Sequence, residues 1–205
     1  MTFDLPPPRP DLAALIAQRL CHDLVNPLGA VSNGLELLAM TMAGTPEMAL
    51  MRDSLDQALG RIKLYRLGFG AAAAGGTIGG DELAAALAAV GGSRPVRLEP
   101  DLPEVLPRPD ARLLVLMALC AETALAWGGR LEVRAAGGAG GPMSVVAEAA
   151  RLRIDPEPWA ALAEGRVPAE PTAPLVHFSL LPAAAAAAGR RLQVAQAEGR
   201  VVLSA

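Results

Sequence analysis

The sequence predicts an α+β protein, with an N-terminal antiparallel helical hairpin followed by a layered region of helices and a largely antiparallel sheet. Two observations predict it. Apolar residues recur every three or four positions from Leu12 to Leu38, and again from Met48 to Phe69, with a helix-restart signal between the two runs. Beyond Asp81 the pattern changes to short alternating or β-branched runs, punctuated by glycine and proline and interleaved with helical ones. At 205 residues the chain is long enough for one domain or two small ones.

Pro6 to Pro10 is a stiff, extended leader. Helix one is expected from about Asp11 to Ala43, with its apolar stripe on Leu12, Ile16, Leu20, Leu24, Leu28, Val31, Leu35 and Leu38. Thr45 is placed to cap the next helix, and Pro46 occupies its first position. Helix two then runs to about Phe69 on a stripe of Met48, Met51, Leu55, Ala58, Ile62, Tyr65 and Phe69. The basic run Arg61 to Arg66 complements the negative end of its dipole. Ala71 to Gly80 is small and flexible, which sets the boundary between a hairpin over residues 1–72 and a second region over 77–205.

In the second region a helix capped by Asp81 runs to Val90, and Pro95 to Glu99 is a short strand. Asp110 to Trp127 is the most apolar helix. Arg130 to Ala135 and Met143 to Ile154 are strands joined by the Gly137 to Gly141 turn. Helices over Pro156 to Glu164 and Pro174 to Ala188 precede a terminal hairpin turning at Glu198-Gly199. A lone helical hairpin buries each stripe on one side only, so it needs a further layer. A second copy completing a dimeric four-helix bundle is the economical supply; cover from the rest of the chain is the alternative.

Composition narrows the function. A net charge of -3 and 3% aromatic residues argue against nucleic acid or an anionic membrane as the main partner. The N-terminus has no signal-peptide pattern and no window is long enough to span a membrane, so a cytoplasmic protein is expected. Cys21 and Cys120 lie far apart, as in a reduced compartment, and both fit packing positions better than metal ligands.

One stretch carries chemistry. His22 lies about 160° from both Leu20 and Leu24 around helix one, opposite the stripe, and shares its face with Gln18, Asn26, Gly29, Asn33 and Glu36. Those residues are small or polar, as a docking surface requires. Pro27 removes a backbone bond one turn beyond Asp23, which predicts a bend there. On spacing alone the same residues also fit an exposed histidine on a kinked core helix.

His22-Asp23, Asn26-Pro27-Leu28 and Leu35-Glu36-Leu37-Leu38 together resemble the H-box of two-component histidine kinases. The wording Arg19-Leu20-Cys21-His22-Asp23 and Asn33-Gly34-Leu35-Glu36-Leu37, with the Arg66-Leu67-Gly68-Phe69-Gly70 ending of helix two, is closer still to the ChpT-family histidine phosphotransferases. The second region's element order is similar to the ATPase domain that follows the H-box in kinases, here as a degenerate α/β sandwich. Its central helix offers Ala121, Glu122, Thr123 and Ala124 where kinases keep a magnesium-holding asparagine. Asp155-Pro156-Glu157-Pro158 stands in place of the Asp-x-Gly-x-Gly turn, and Val176-His177-Phe178-Ser179 in place of the glycine-rich lid. Gly137 to Gly141 lacks the residues of a phosphate loop.

The resemblance implies a phosphorelay intermediate without ATP-dependent kinase activity, binding no cofactor itself. Phosphoryl would pass from the aspartate of a hybrid kinase's receiver domain to His22, and then to the aspartate of a response regulator, with Mg²⁺ carried by the receiver. Asp23 and Asn26 are the supporting candidates, Asp23 by biasing the ring and Asn26 by lying one turn under it. Arg19, Gly29, Ala30 and Asn33 are the candidate docking residues. A divergent ATP-dependent histidine kinase and a non-catalytic dimeric scaffold for receiver domains are the alternatives. His177, with no acid or cysteine near it in sequence, is read as a helix-start or partly buried residue.

Overall fold

A computed structural model describes residues 12–41, 45–70, 76–92, 94–137 and 140–205. The Pro6–Pro10 leader, the turn before Thr45 and the first half of the expected linker (71–75) lie outside the described residues.

Helix α1 spans Leu12–Thr41 as one element through Pro27, and α2 spans Pro46–Phe69. The start of α2 follows the sequence. Thr45 sits in extended conformation and its Oγ1 accepts from Met48 N at 3.3 Å, with proline in the first turn. The two helices pack on each other, but by a face rotated from the expected stripe. Cys21 and Leu35 are buried, with Ala17, Leu28 and Ser32 half-buried on the same row, and the Cys21 thiol meets Ile62 O at 3.8 Å. Leu20, Leu24 and Val31, which belong to the expected stripe, are 58%, 50% and 51% exposed. On α2, Met51 is likewise exposed, whereas Leu64 and Gly68, which the stripe omits, are buried.

The reason is that α2 has two partners. Its N-terminal half faces α1 alone, while its C-terminal half also packs on the second region. There Leu64 joins the main apolar core, flanked by Tyr65, Leu67 and Phe69. Gly68 lies where a Cβ would come within 3.0 Å of Val115 on the central helix.

The first elements of that region lie inside the last part of the expected Ala71–Gly80 linker. Thr77–Gly79 (β1) pairs antiparallel with Val105–Pro107 (β3), and Gly80–Leu87 forms α3. Asp81 lies in the first turn of α3 rather than capping it; the cap position is Gly79, with no side-chain bond. Val96–Asp101 (β2), Gly129–Ala135 (β4), Met143–Glu148 (β5), Gln193–Ala197 (β6) and Arg200–Ser204 (β7) make a five-stranded sheet in the order β2-β4-β5-β7-β6. All neighbours are antiparallel except β2 and β4, which are parallel because the chain crosses between them through a helix. The second expected strand stops at Glu148, not Ile154.

That crossover helix, α4 (Arg108–Ala124), is apolar nearly all round, and residues 113–118 are completely buried between the sheet, α2 and α6. It starts and ends before the expected Asp110–Trp127. Pro109 suits its first turn, and Trp127 lies beyond its end, half exposed with Arg151 over its ring at 4.2 Å. Pro156–Ala163 (α5) and Val176–Ala187 (α6) complete the layer, the latter preceded by a short 3₁₀ turn at Ala173–Leu175. Trp159 of α5 meets Phe178 of α6 edge-on at 5.3 Å.

The sheet's other face carries charges in place of a second helical layer. Arg130 reaches Glu99 at 3.0 Å, Glu132 at 2.7 Å and Glu148 at 2.6 Å, and Arg134 and Arg200 extend the ladder. A buried bidentate pair, Arg190 with Asp110 at 2.9 and 3.2 Å, ties the start of α4 to the loop after α6, and Arg190 also donates to Gly141 O at 2.6 Å.

Candidate functional site

Helix α1 places His22 one residue past buried Cys21. At about 100° per residue, His22 therefore lies to one side of the row facing α2, while exposed Leu20, Leu24 and Val31 lie to the other. The helices run antiparallel, so the same reasoning applies to α2: exposed Leu50 and Met51 fall on the apolar side and Lys63 on the His22 side. Around His22 the hairpin thus has a polar stretch on one side and an apolar row on the other; nearer the turn, exposed Leu37 and Met40 return to the His22 side.

Asn26, Gly29 and Asn33 occupy the His22 flank, within about 40° of it around the axis. Asn26 and Asn33 are exposed, and a Cβ at Gly29 would meet nothing within 4 Å. Ala30 is exposed but lies further round, about 80° from His22. Arg19 lies on the His22 side of the helix and Asp23 about 100° from the histidine; the side chains of both, and of His22 itself, lie outside the described residues. Across α2 on the same flank, a groove of about 390 Å³ runs between α2 and α3, lined by Leu59, Lys63 and Arg66 with Glu82 opposite. Cys21 sets its height, since its contact with Ile62 brings the His22 turn level with this stretch of α2.

Burial raises the Cys21 thiol above its ordinary pKa, partly offset by Arg66, and raises that of Cys120 well above it. Both are packing residues rather than nucleophiles at neutral pH. No group of three or more metal-ligating side chains occurs among the described residues.

His177, at the start of α6, is buried at 7% exposure. Burial is the main cause that lowers its pKa to about 4, with Arg61 lowering and Glu122 raising it, so the ring is neutral at physiological pH. Its Nε2 has no hydrogen-bond partner.

The cluster beside His177 leaves no local signal in the sequence. Glu122, in the last turn of α4, is buried and accepts from Arg61 of α2 at 2.9 Å, from Gly91 N at 3.0 Å and from Arg94. Burial pulls the Arg61 pKa down, but the Glu122 carboxylate more than offsets it, so the net direction is up. One carboxylate therefore pins the hairpin and the α3–β2 loop to the central helix. Arg61 appeared in sequence as a helix-end cation and Glu122 as a substitute for an absent asparagine; nothing local signalled that they meet.

Comparison with known proteins agrees with this architecture. Residues 80–200 match the family model of the histidine phosphotransferase C-terminal domain. The chain is 34% identical over 163 residues to the protein phosphotransferase ChpT of Brucella abortus (strain 2308), covering 78% of each. The fold superimposes on the structure of a bacterial phosphotransferase with a TM-score of 0.67 at 25% identity, covering 98% of this chain and 99% of that one. No helix among the described residues is long and apolar enough to cross a membrane. By sequence and by fold, this chain belongs to the ChpT family of histidine phosphotransferases.

Proposed function

We propose that this protein is a phosphorelay carrier in which His22 takes a phosphoryl group from the aspartate of one receiver domain and delivers it to the aspartate of another. The observation that carries the proposal is the two-sidedness of the hairpin: His22 stands on the flank with Asn26, Gly29 and Asn33, opposite exposed Leu20, Leu24 and Val31.

In each transfer the neutral imidazole Nε2 attacks phosphorus in line. The N–P bond forms as the P–O bond to the aspartyl carboxylate breaks, and the carboxylate leaves with the electron pair. The return step is the reverse. Imidazole is suited to both directions because its ordinary pKa, near 6.5, leaves it nucleophilic at neutral pH and a competent leaving group once phosphorylated. The receiver brings the Mg²⁺ that neutralises the transferring oxygens. This chain's part is to present the ring, to leave room at Gly29 for the approaching domain, and to offer Asn26 to the ring or phosphoryl oxygens. Asp23 biases the imidazole; Arg19, Ala30 and Asn33 contact the receiver. Lys63 and Arg66, with Asp56 and Glu82 in the same groove on that flank, add charged docking points of both signs for a receiver surface.

The exposed apolar flank is the second half of the proposal. Leu20, Leu24, Val31, Leu50 and Met51 cover both helices and pair with the same face of a second chain as a four-helix bundle, holding the two His22 flanks apart. The hairpin over 1–72 and the degenerate ATPase-like domain over 77–205 are its two working parts, and the cytoplasm, where receivers act, is its compartment.

The test is transfer itself. With a phosphorylated receiver as donor, label appears on this protein and is acid-labile, and His22→Ala abolishes it. Incubation with labelled ATP alone leaves the protein unlabelled, whereas self-labelling would show a kinase. Intact signalling in a His22→Ala strain would show a scaffold.

A further inference from the structure

Beside the Glu122 cluster is a cavity of about 340 Å³, on the opposite side of α2 from Lys63 and independent of the phosphotransfer reading. Small-ligand pockets begin at about this size. Its polar wall is Arg61, Arg94, Glu122 and His177; its apolar wall includes Tyr65 and Phe69 of α2 with Val176 of α6. From the cavity, the charge and the unpartnered histidine nitrogen, we infer that it is a binding site for a small organic anion, a carboxylate or phosphate on a planar apolar body.

Two guanidinium groups face one carboxylate here, so the cavity keeps a surplus positive charge with His177 neutral. The guanidinium forks are not exhausted. Arg61 donates through Nη1 to Glu122 and Ala89 O, and Arg94 donates to Gly91 O, Glu122 O and the Glu122 carboxylate. Each fork has five N–H donors, so both retain some for a ligand. Their side chains are about a third exposed, at 28% and 34%, whereas Glu122 is 5% exposed. The anchor is thus sealed while the donors reach the opening.

The apolar wall argues for more than a bare ion. Tyr65 and Phe69 stack at 5.2 Å with ring planes 13° apart, and the Arg61 guanidinium lies over the Tyr65 ring at 5.4 Å from its centroid. A planar ligand would extend that stack while its oxyanion meets the arginines. His177 lines the same cavity, and its Nε2 is buried without a hydrogen-bond partner, a polar group left for a bound ligand to engage. An adjoining cavity of about 430 Å³ shares Arg94, Thr123 and Pro174, which gives the ligand an open approach.

The chain has two histidines, so imidazole NMR of the full-length protein separates the two sites, with His22→Gln assigning the signals. The probes are benzoate, phenyl phosphate and inorganic phosphate at constant ionic strength and pH. Benzoate or phenyl phosphate is expected to shift the His177 ring signals saturably and leave those of His22 unmoved, with inorganic phosphate binding at least tenfold more weakly. Arg94→Gln should weaken binding about tenfold. Ala173→Trp, which fills the mouth without touching the ion pairs, should abolish it while receiver-to-His22 transfer proceeds at the parent rate. The inference is overturned by the absence of a saturable shift at His177, by equal binding of inorganic phosphate, or by a shift that persists unchanged in both variants. None of these results bears on whether His22 carries phosphate.

Discussion

The helical hairpin and the sheet-bearing region distribute their apolar residues in opposite ways. In the latter, α4, β4, β5, β7 and the inner faces of α5 and α6 are closed over one another, and the outward sheet face is charged. In the hairpin, the described part of α1 buries only Cys21 and Leu35, and leaves Leu20, Leu24 and Val31 half exposed or more. The extensive apolar core therefore lies in the region without the proposed reactive group, while His22 lies on a helix whose described residues bury only Cys21 and Leu35. On the described part of that helix, Asn26 and Asn33 are exposed on the His22 side, and Leu20, Leu24 and Val31 on the other.

That contrast can be broken at several points. The largest expected change is in assembly. Leu24→Glu with Val31→Glu should halve the solution mass measured by light scattering, from twice 21.0 kDa to 21.0 kDa, while the circular dichroism of the α/β region persists. An unchanged mass would place the apolar flank's partner elsewhere.

Next in size is the core. Leu116→Ala in α4 removes a fully buried side chain and should cost about 2–5 kcal/mol in chemical denaturation. By contrast, Leu20→Ala should cost little in a monomeric background, because that side chain is already exposed.

His177 distinguishes the regions by pH. Burial lowers its pKa from 6.5 to about 4, so the unfolded chain takes up a proton that the folded chain refuses. The stability it contributes is complete above pH 6.5 and is lost as the pH falls through 4, about 3 kcal/mol at most. Urea denaturation between pH 7 and 4 should show this acid limb flattened in His177→Phe and unchanged in His22→Gln. The smallest effect is at the hairpin turn, where Thr45→Ala removes the cap bond to Met48 N and should cost about 1 kcal/mol by thermal denaturation.

Much of this was legible in the sequence because it is local. Helix periodicity located α1 and α2, Thr45-Pro46 marked the restart, and the His22-Asp23…Asn26-Pro27-Leu28 spacing singled out the histidine. Periodicity marks which residues are apolar but not what covers them, so one stripe on α1 proved to be a row against α2 and a row left exposed. The β1–β3 ladder was invisible because each strand has three residues, one in a glycine-rich run and the other ending in proline. The Glu122 cluster was invisible for a different reason. Its acid lies 61 positions from Arg61 and 28 from Arg94, and only the packing of α2 on α4 brings them together.

The central claim concerns one imidazole on an open flank. Mass spectrometry under phosphate-preserving conditions, after mixing this protein with a phosphorylated receiver domain, should place a single phosphoryl group on His22, which a second receiver then removes. Phosphorylation at His177 instead, or none on the chain while the receivers still exchange phosphate, would contradict the account.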